Sequence, residues 1–241
     1  MKNTLIIIPT YNEVDNVELL LREVFGLYPQ LHILVVDDNS PDGTADRVLA
    51  LKTEFSQQLF LLSRPKKEGL GRAYLAGFQW GLQKDYDYLF EMDADFSHNP
   101  KAIQELYSAC AEQGADVSIG SRYVQGINVV NWPLSRVVLS YLASWYVRIL
   151  TGMPVKDPTA GFVCYHRNVL EAIDLNDIHF IGYAFQIEMK YKAFNKKFKI
   201  KEIPIIFTDR IRGASKLTKG IISEAIFGVI QMRIKQLLGH L

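Results

Sequence analysis

Tyr88-Leu89-Phe90-Glu91-Met92-Asp93-Ala94-Asp95 is the stretch that decides how this chain reads. An apolar run, Tyr88 to Phe90, ends in two carboxylates spaced i, i+2. In an extended segment such positions project to the same side. Carboxylates facing one way repel unless positive charge lies between them. Mg²⁺ suits that geometry, because it takes one or two carboxylates and completes its shell with water and substrate phosphates. The expectation is a metal-held phosphate ester at the end of a strand, with Asp93 and Asp95 as ligands. The competing reading is a plain strand-to-helix turn in which Asp95 or Ser97 caps the next helix.

Working outward, the run is one of several apolar strands alternating with helices. Leu5 to Ile8, Ile33 to Val36, Leu59 to Leu62, Tyr86 to Met92 and Val117 to Gly120 read as strands. Val14 to Tyr28, Thr44 to Leu51, Leu70 to Leu82 and Pro100 to Ala111 read as helices between them. Apolar strands separated by helices imply a mainly parallel sheet covered on both faces. Ligands of such sheets sit at the carboxyl ends of the strands. The pair Asp93/Asp95 falls there, and so does the turn cluster Asp37–Gly43. The second half is less regular. Ser135 to Leu150 and Tyr183 to Phe194 read as helices, Gly161 to Tyr165 and Ile200 to Phe207 as strands. Lys216 to Leu241 reads as a basic amphipathic helix.

Composition narrows the class. With 241 residues, 49% hydrophobic and 22% charged, the chain has ordinary globular composition. A net charge of +1 gives no global signal for nucleic acid. Cys110 and Cys164 stand in no metal spacing, and free thiols in a reducing compartment are the simplest reading. Leu5 to Ile8 is too short for a signal peptide, and no apolar stretch is long enough to span a membrane. Gly69-Leu70-Gly71-Arg72-Ala73-Tyr74 starts like a dinucleotide fingerprint. It lacks the third glycine and follows the third strand, so Gly71 and Gly77 are expected to allow close packing of their helix instead.

Taken in order, the motifs after the strands are more specific than any one alone. They are Pro9-Thr10-Tyr11-Asn12-Glu13, Asp37-Asp38-Asn39-Ser40-Pro41-Asp42-Gly43-Thr44, Asp93-Ala94-Asp95-Phe96-Ser97-His98 and Gly120-Ser121-Arg122-Tyr123. Arg64 to Gly71, Pro158-Thr159-Ala160-Gly161-Phe162 and Asp209 to Leu217 add to them. Together they resemble the family 2 glycosyltransferases of the GT-A fold, an α/β, Rossmann-like nucleotide-diphospho-sugar transferase architecture. Within that family the chain looks most like the polyprenol-phosphate (dolichol-phosphate) mannose synthases.

The resemblance implies inverting transfer of mannose from GDP-mannose to a polyprenyl monophosphate, with Mg²⁺ or Mn²⁺ as cofactor. It implies that Asp95 holds the metal, with Asp93 as second ligand and the Ala94 backbone against the nucleotide. Pro9, Tyr11, Glu13, Val36 and Asp38 would line the base and ribose pocket. Arg122, Arg210 and Lys216 would neutralise phosphates, Asp209–Lys216 forming a lid. Arg136 and Arg72 are weaker candidates for the acceptor phosphate. His98 is expected to be a loop-solvated or capping residue rather than a ligand. Residues 1–215 would be the catalytic domain and 216–241 an appended helix. A lipid acceptor places the enzyme in the cytoplasm, peripheral on the cytoplasmic face of a membrane. The helix Ser135–Leu150 and the C-terminal helix would touch that surface. Cover by a partner subunit, making a homo-oligomer, is the alternative for both. Other readings stay open: a different donor such as UDP-glucose, a GT-A transferase acting on a glycan hydroxyl, or a non-catalytic nucleotide-sugar-binding module.

Overall fold

A computed structural model describes residues 1–210 and 219–239. The five first strands are β1 (Thr4–Thr10), β2 (His32–Asp37), β3 (Leu59–Ser63), β4 (Tyr88–Glu91) and β5 (Val117–Ser121). The helices between them are α1 (Val14–Leu27), α2 (Thr44–Lys52), α3 (Leu70–Leu82) and α4 (Ile103–Ala111). There follow the two-residue β6 (Val129–Val130), α5 (Leu134–Thr151), β7 (Val163–His166), α6 (Arg167–Ala172), α7 (Tyr183–Asn195), β8 (Ile200–Pro204), β9 (Phe207–Thr208) and α8 (Lys219–Leu237).

Seven strands make one sheet in the order β3-β2-β1-β4-β7-β5-β8. All neighbours are parallel except β7, which runs antiparallel between β4 and β5. Leu5, Ile6, Ile7 and Ile8 of β1 are wholly buried, and so are Ile33 to Val36 of β2. Consecutive residues of a strand face opposite sides, so both faces of these strands are covered. Two apolar cores result. One lies under α3 and α7, the other under α1, α2 and α4.

The glycines of α3 set how closely it lies on the sheet. A Cβ on Gly77 would sit 2.5 Å from Ile7 Cγ2, and one on Gly71 would sit 2.8 Å from the Phe185 ring. The expectation of glycine-allowed packing holds. Gly77→Ala should gain about 1 kcal/mol of helix propensity yet lose more by overpacking, which costs ~1–3 kcal/mol. A net fall in Tm by a few degrees is the expected result, and an unchanged or raised Tm in thermal unfolding would refute the close approach.

The sequence-read boundaries match most elements closely. Two short pieces, α6 and β6, carry too few residues for a periodic signal. β6 pairs with β9 in a separate parallel ribbon, Val129 opposite Phe207 and Val130 opposite Thr208. This ribbon carries Trp132, Asp209 and Arg210 to the carboxyl edge of the large sheet. Helix α8 rests on α5 and α7, with Val229 and Met232 buried. Tyr146 donates to the Ile226 carbonyl at 2.8 Å, and the Ile181 amide donates to Glu224 at 3.0 Å.

Candidate active site

The carboxyl ends of β1, β2, β4 and β5 converge on one rim, as the parallel order requires. The pair Asp93/Asp95 lies there, but in a bend rather than on the strand. β4 ends at Glu91, and Phe96 turns the chain with φ +62°. The two carboxylates therefore meet through the bend, not through strand alternation.

Each is held differently. Tyr74 donates to Asp93 Oδ1 at 3.2 Å, and the Asp93 amide donates to His98 Nδ1 at 3.1 Å. Burial, with the Asp95 charge beside it, pushes the Asp93 carboxyl up to about 7. Asp95 accepts from the Ser97 amide at 3.1 Å and from Arg210 Nη2 at 2.9 Å. Burial works against its ionisation, but the Ser97 bonds and Arg210 outweigh it and hold its carboxyl below the usual value.

His98 is not solvated, contrary to one of its expected roles. It is buried, stacks on Phe162 at 4.9 Å between centroids, and is pushed down to about 4 by burial. Its neutral ring accepts a backbone bond and braces the bend, which is the capping alternative.

The pair fits a hard divalent cation. Its donors are all oxygen, the chemistry Mg²⁺ and Mn²⁺ prefer. Two acids stand side by side here, and Arg210 supplies one cation at the spot. Among the described residues no group of three or more His, Cys, Asp or Glu is placed to hold a metal. A cation here would therefore complete its shell from substrate oxygens and water.

The turn cluster after β2 divides into stitching and surface. Asp37 accepts from Thr10 Oγ1 at 2.8 Å and from the Ser40 hydroxyl at 2.6 Å. Asp42 accepts from the Thr44 amide at 3.0 Å and the Val14 amide at 3.1 Å. Asp38 is gripped by Arg64 at 2.6 Å, while burial raises its carboxyl against that pull. A nucleotide reaching Asp38 would meet Arg64 with it. Val36 is wholly buried in the core, so its backbone is the part that can face a ligand. Pro9 and Tyr11 are half-buried on the rim, with Lys67 Nζ 4.2 Å above the Tyr11 ring. Glu13 is buried and accepts from Asn16 at 2.9 Å.

Arg122 is more deeply tied than a phosphate ligand needs to be. Its Nε and Nη2 make a two-pronged contact with Asp157 at 2.7 and 2.6 Å, and Nη2 also reaches Thr159 at 2.8 Å. Asp157 is fully buried, yet Arg122 keeps its carboxyl below the ordinary value against the cost of burial. Arg136 pairs with Asp209 at 2.8 Å and lies 4.1 Å above the Trp132 ring, whose buried Nε1 has no partner. Arg72 is exposed and does not line the cavity. Lys216 and most of the expected lid lie outside the described residues.

Asp93, Asp95, Arg122, Trp132, Arg136 and Arg210 line one cavity of about 470 Å³, whereas Pro9, Tyr11, Glu13 and Asp38 are not among its lining residues. Asp93, Asp95, Arg122, Arg136 and Trp132 lie at its polar end. Leu139, Leu142, Ala143 and Val147 of α5 and Ile226 of α8 form an apolar end. Beneath it, Gln186 donates to Glu91 at 2.6 Å, and Lys190 donates to Gln186 Oε1 and the Ala160 carbonyl at 2.8 and 2.7 Å. Asp157, Trp132, Gln186 and Lys190 were missed in the sequence. Only Asp157 had a nearby signal, the adjoining Pro158–Phe162 motif.

A mainly parallel sheet with an acid pair on its carboxyl rim is the arrangement of a GT-A transferase. The chain matches the sequence family described as glycosyl transferase family 2 over residues 5–174, and it belongs to that family. It is 47% identical to the polyprenol monophosphomannose synthase of Mycolicibacterium smegmatis, over 97% of this chain and 88% of that one. It is 44% identical to the undecaprenyl-phosphate mannosyltransferase of Micrococcus luteus, over 93% and 91%. The dolichol-phosphate mannosyltransferase of Pyrococcus furiosus is 37% identical over 91% of this chain, which spans 60% of that longer protein. Among solved structures, glucosyl-3-phosphoglycerate synthase from Mycobacterium tuberculosis, in complex with Mn²⁺, uridine-diphosphate and phosphoglyceric acid, superposes with a TM-score of 0.71. It covers 95% of this chain and 78% of that one at 17% identity, a likeness of fold.

Proposed function

We infer that the protein transfers mannose from GDP-mannose to a polyprenyl monophosphate, with inversion at the anomeric carbon, using Mg²⁺ or Mn²⁺. The observation that carries this reading is the single cavity joining the acid pair, with Arg122, Arg136 and Trp132 beside it, to apolar walls. A sugar nucleotide calls for the first end and an isoprenoid for the second. The mannosyltransferase names of relatives above 40% identity support the same acceptor class.

The chemistry asks little of a general base. A phosphate monoester has a second pKa of about 6 and is already largely ionised at pH 7. It needs only placement in line with the departing diphosphate. Neutral His98, committed to a backbone bond, is not required as a base. Arg136 and the indole N–H of Trp132 would orient the acceptor phosphate, Arg122 being braced by Asp157 beside them. Pro9, Tyr11, Glu13 and Asp38 would hold the nucleoside, and Arg210 with Lys216 would neutralise the diphosphate. A divalent cation on Asp93 and Asp95, when bound, would stabilise charge on the leaving diphosphate. Residues 1–215 would form the catalytic unit.

The test is turnover with polyprenyl phosphate across GDP-mannose, UDP-glucose and GDP-glucose. A preference of tenfold or more for GDP-mannose is expected. Faster transfer from UDP-glucose would replace the donor assignment.

Among the described residues no helix is long and apolar enough to cross a membrane. Exposed apolar side chains instead line α5 and α8, among them Leu139, Trp145, Phe227 and Leu237. This face would lie on the cytoplasmic surface of a membrane, where such side chains enter the interface. Phe227 and Leu237 are 71% and 66% exposed, so replacing both with Asp should leave the fold intact. Each loses roughly 2 kcal/mol of apolar transfer, so vesicle binding should fall at least tenfold. Unchanged co-sedimentation would remove α8 from the membrane contact.

A further inference from the structure

A second cavity, of about 250 Å³, lies on the other side of α5. Tyr141, Ser144, Trp145 and Arg148 form its wall, at spacings that put them on one stripe of the helix. The opposite stripe, Leu139, Leu142, Ala143, Tyr146 and Val147, faces the transfer cavity. Tyr123 stands between the two, its hydroxyl donating to Ser140 at 2.8 Å. Lys156 closes the opposite side.

The chemistry of this cleft is cationic and unfinished. Among the described residues that line it there are two cations and no carboxylate. The Arg148 Nε is buried and has no hydrogen-bond partner. Lys156 spends one of its three donors on the Val124 carbonyl at 3.1 Å. Glu202 is occupied by the backbone amides of Lys156 and Asp157 at 2.7 and 2.9 Å. A guanidinium with a buried, unmet donor beside an ammonium calls for an oxyanion, and arginine suits phosphate. The rim indicates where that phosphate comes from. Ile127, Tyr141 and Trp145 are each about half exposed around the cleft, and Trp and Tyr are the side chains favoured at headgroup depth.

We propose that the cleft between Arg148 and Lys156 binds the phosphate headgroup of an anionic phospholipid, separately from the acceptor in the transfer cavity. The site rests on the membrane location inferred above and deepens it. It gives the apolar face a fixed point, so that α5 is oriented with its inner stripe toward the transfer cavity. Basic side chains near an anionic surface contribute roughly fivefold each in affinity, so the two together are worth about 25-fold.

The experiment compares the full-length protein with its R148Q/K156Q variant. Co-sedimentation is measured with phosphatidylcholine vesicles, with vesicles containing phosphatidylglycerol, and alongside inorganic phosphate binding followed by ³¹P line broadening. Wild type is expected to prefer the phosphatidylglycerol vesicles by tenfold or more. The variant should lose that preference and keep the phosphatidylcholine baseline. Mannosyl transfer in detergent should stay within about twofold, since neither residue lines the transfer cavity. A variant that keeps the preference overturns the site. Phosphate binding that needs both residues while vesicle binding does not would make the ligand a soluble phosphate, and would also overturn it. Wild type that binds neither vesicle removes the membrane reading itself, a separate failure.

Discussion

Replacing Asp95 with alanine is expected to lower kcat/KM by about three orders of magnitude. Two effects combine. The side chain would hold the divalent cation that stabilises the departing diphosphate, and removing such a charge-stabilising group costs several kcal/mol, at about 1.4 kcal/mol per tenfold. Asp95 also pairs with Arg210 at 2.9 Å, so its loss removes one of the contacts that hold a second cation at the rim. The charge is what matters, and Asp95→Asn separates it from shape. The amide keeps an oxygen that can accept from the Ser97 amide, as Oδ1 does at 3.1 Å, but it carries no charge. Asparagine should therefore fold as wild type and be nearly as inactive as alanine. Steady-state transfer assays with thermal unfolding in parallel decide the matter. Less than tenfold loss in either variant would take Asp95 out of the reaction.

Asp157→Ala should be the most destabilising single change considered. Asp157 is fully buried and Arg122 nearly so, with three hydrogen bonds joining them when the Arg122 amide is included. Removing Asp157 takes away the buried carboxylate that the Arg122 guanidinium pairs with, and breaking a buried pair costs about 3–5 kcal/mol. For a chain of this size that is roughly 6–20 °C in Tm. The same pair sets a pH dependence. Asp157 titrates below its ordinary value of 3.8 when folded, because Arg122 outweighs the cost of burial. The unfolded chain therefore takes up this proton at higher pH than the folded one. The stabilisation is intact above about pH 4 and is lost as pH falls through the folded value. Denaturant unfolding of wild type and variant should differ by several kcal/mol at pH 7 and converge in acid. A difference under about 1 kcal/mol at pH 7 would mean that the pair contributes little.

The fold was legible where burial is continuous along the chain. Leu5 to Ile8 and Ile33 to Val36 are apolar at every position because both sheet faces are covered, and such runs announce themselves. Gly77 was legible for a local reason, a glycine on a helix that must lie against Ile7. The site was half legible. Asp93 and Asp95 were found as a pair, but their meeting depends on the bend at Phe96, which alternation along a strand does not describe. Asp38 and Arg122 were found as charges, while their partners Arg64 and Asp157 lie 26 and 35 positions away. No short-range pattern encodes such pairs. Trp132 and Gln186 reach the cavity only because the β6–β9 ribbon and α7 close on the sheet from distant segments.

The central claim is that a divalent cation on Asp93 and Asp95 holds a donor diphosphate while a lipid phosphate attacks the sugar. Its most direct measurement is movement of labelled mannose from GDP-mannose into a solvent-extractable product with polyprenyl phosphate, before and after chelation. Label should enter the organic phase, be released from it by mild acid, vanish with chelator, and return when Mg²⁺ or Mn²⁺ is restored. Label that remains in the aqueous phase, or transfer that continues at the same rate in chelator, would contradict it.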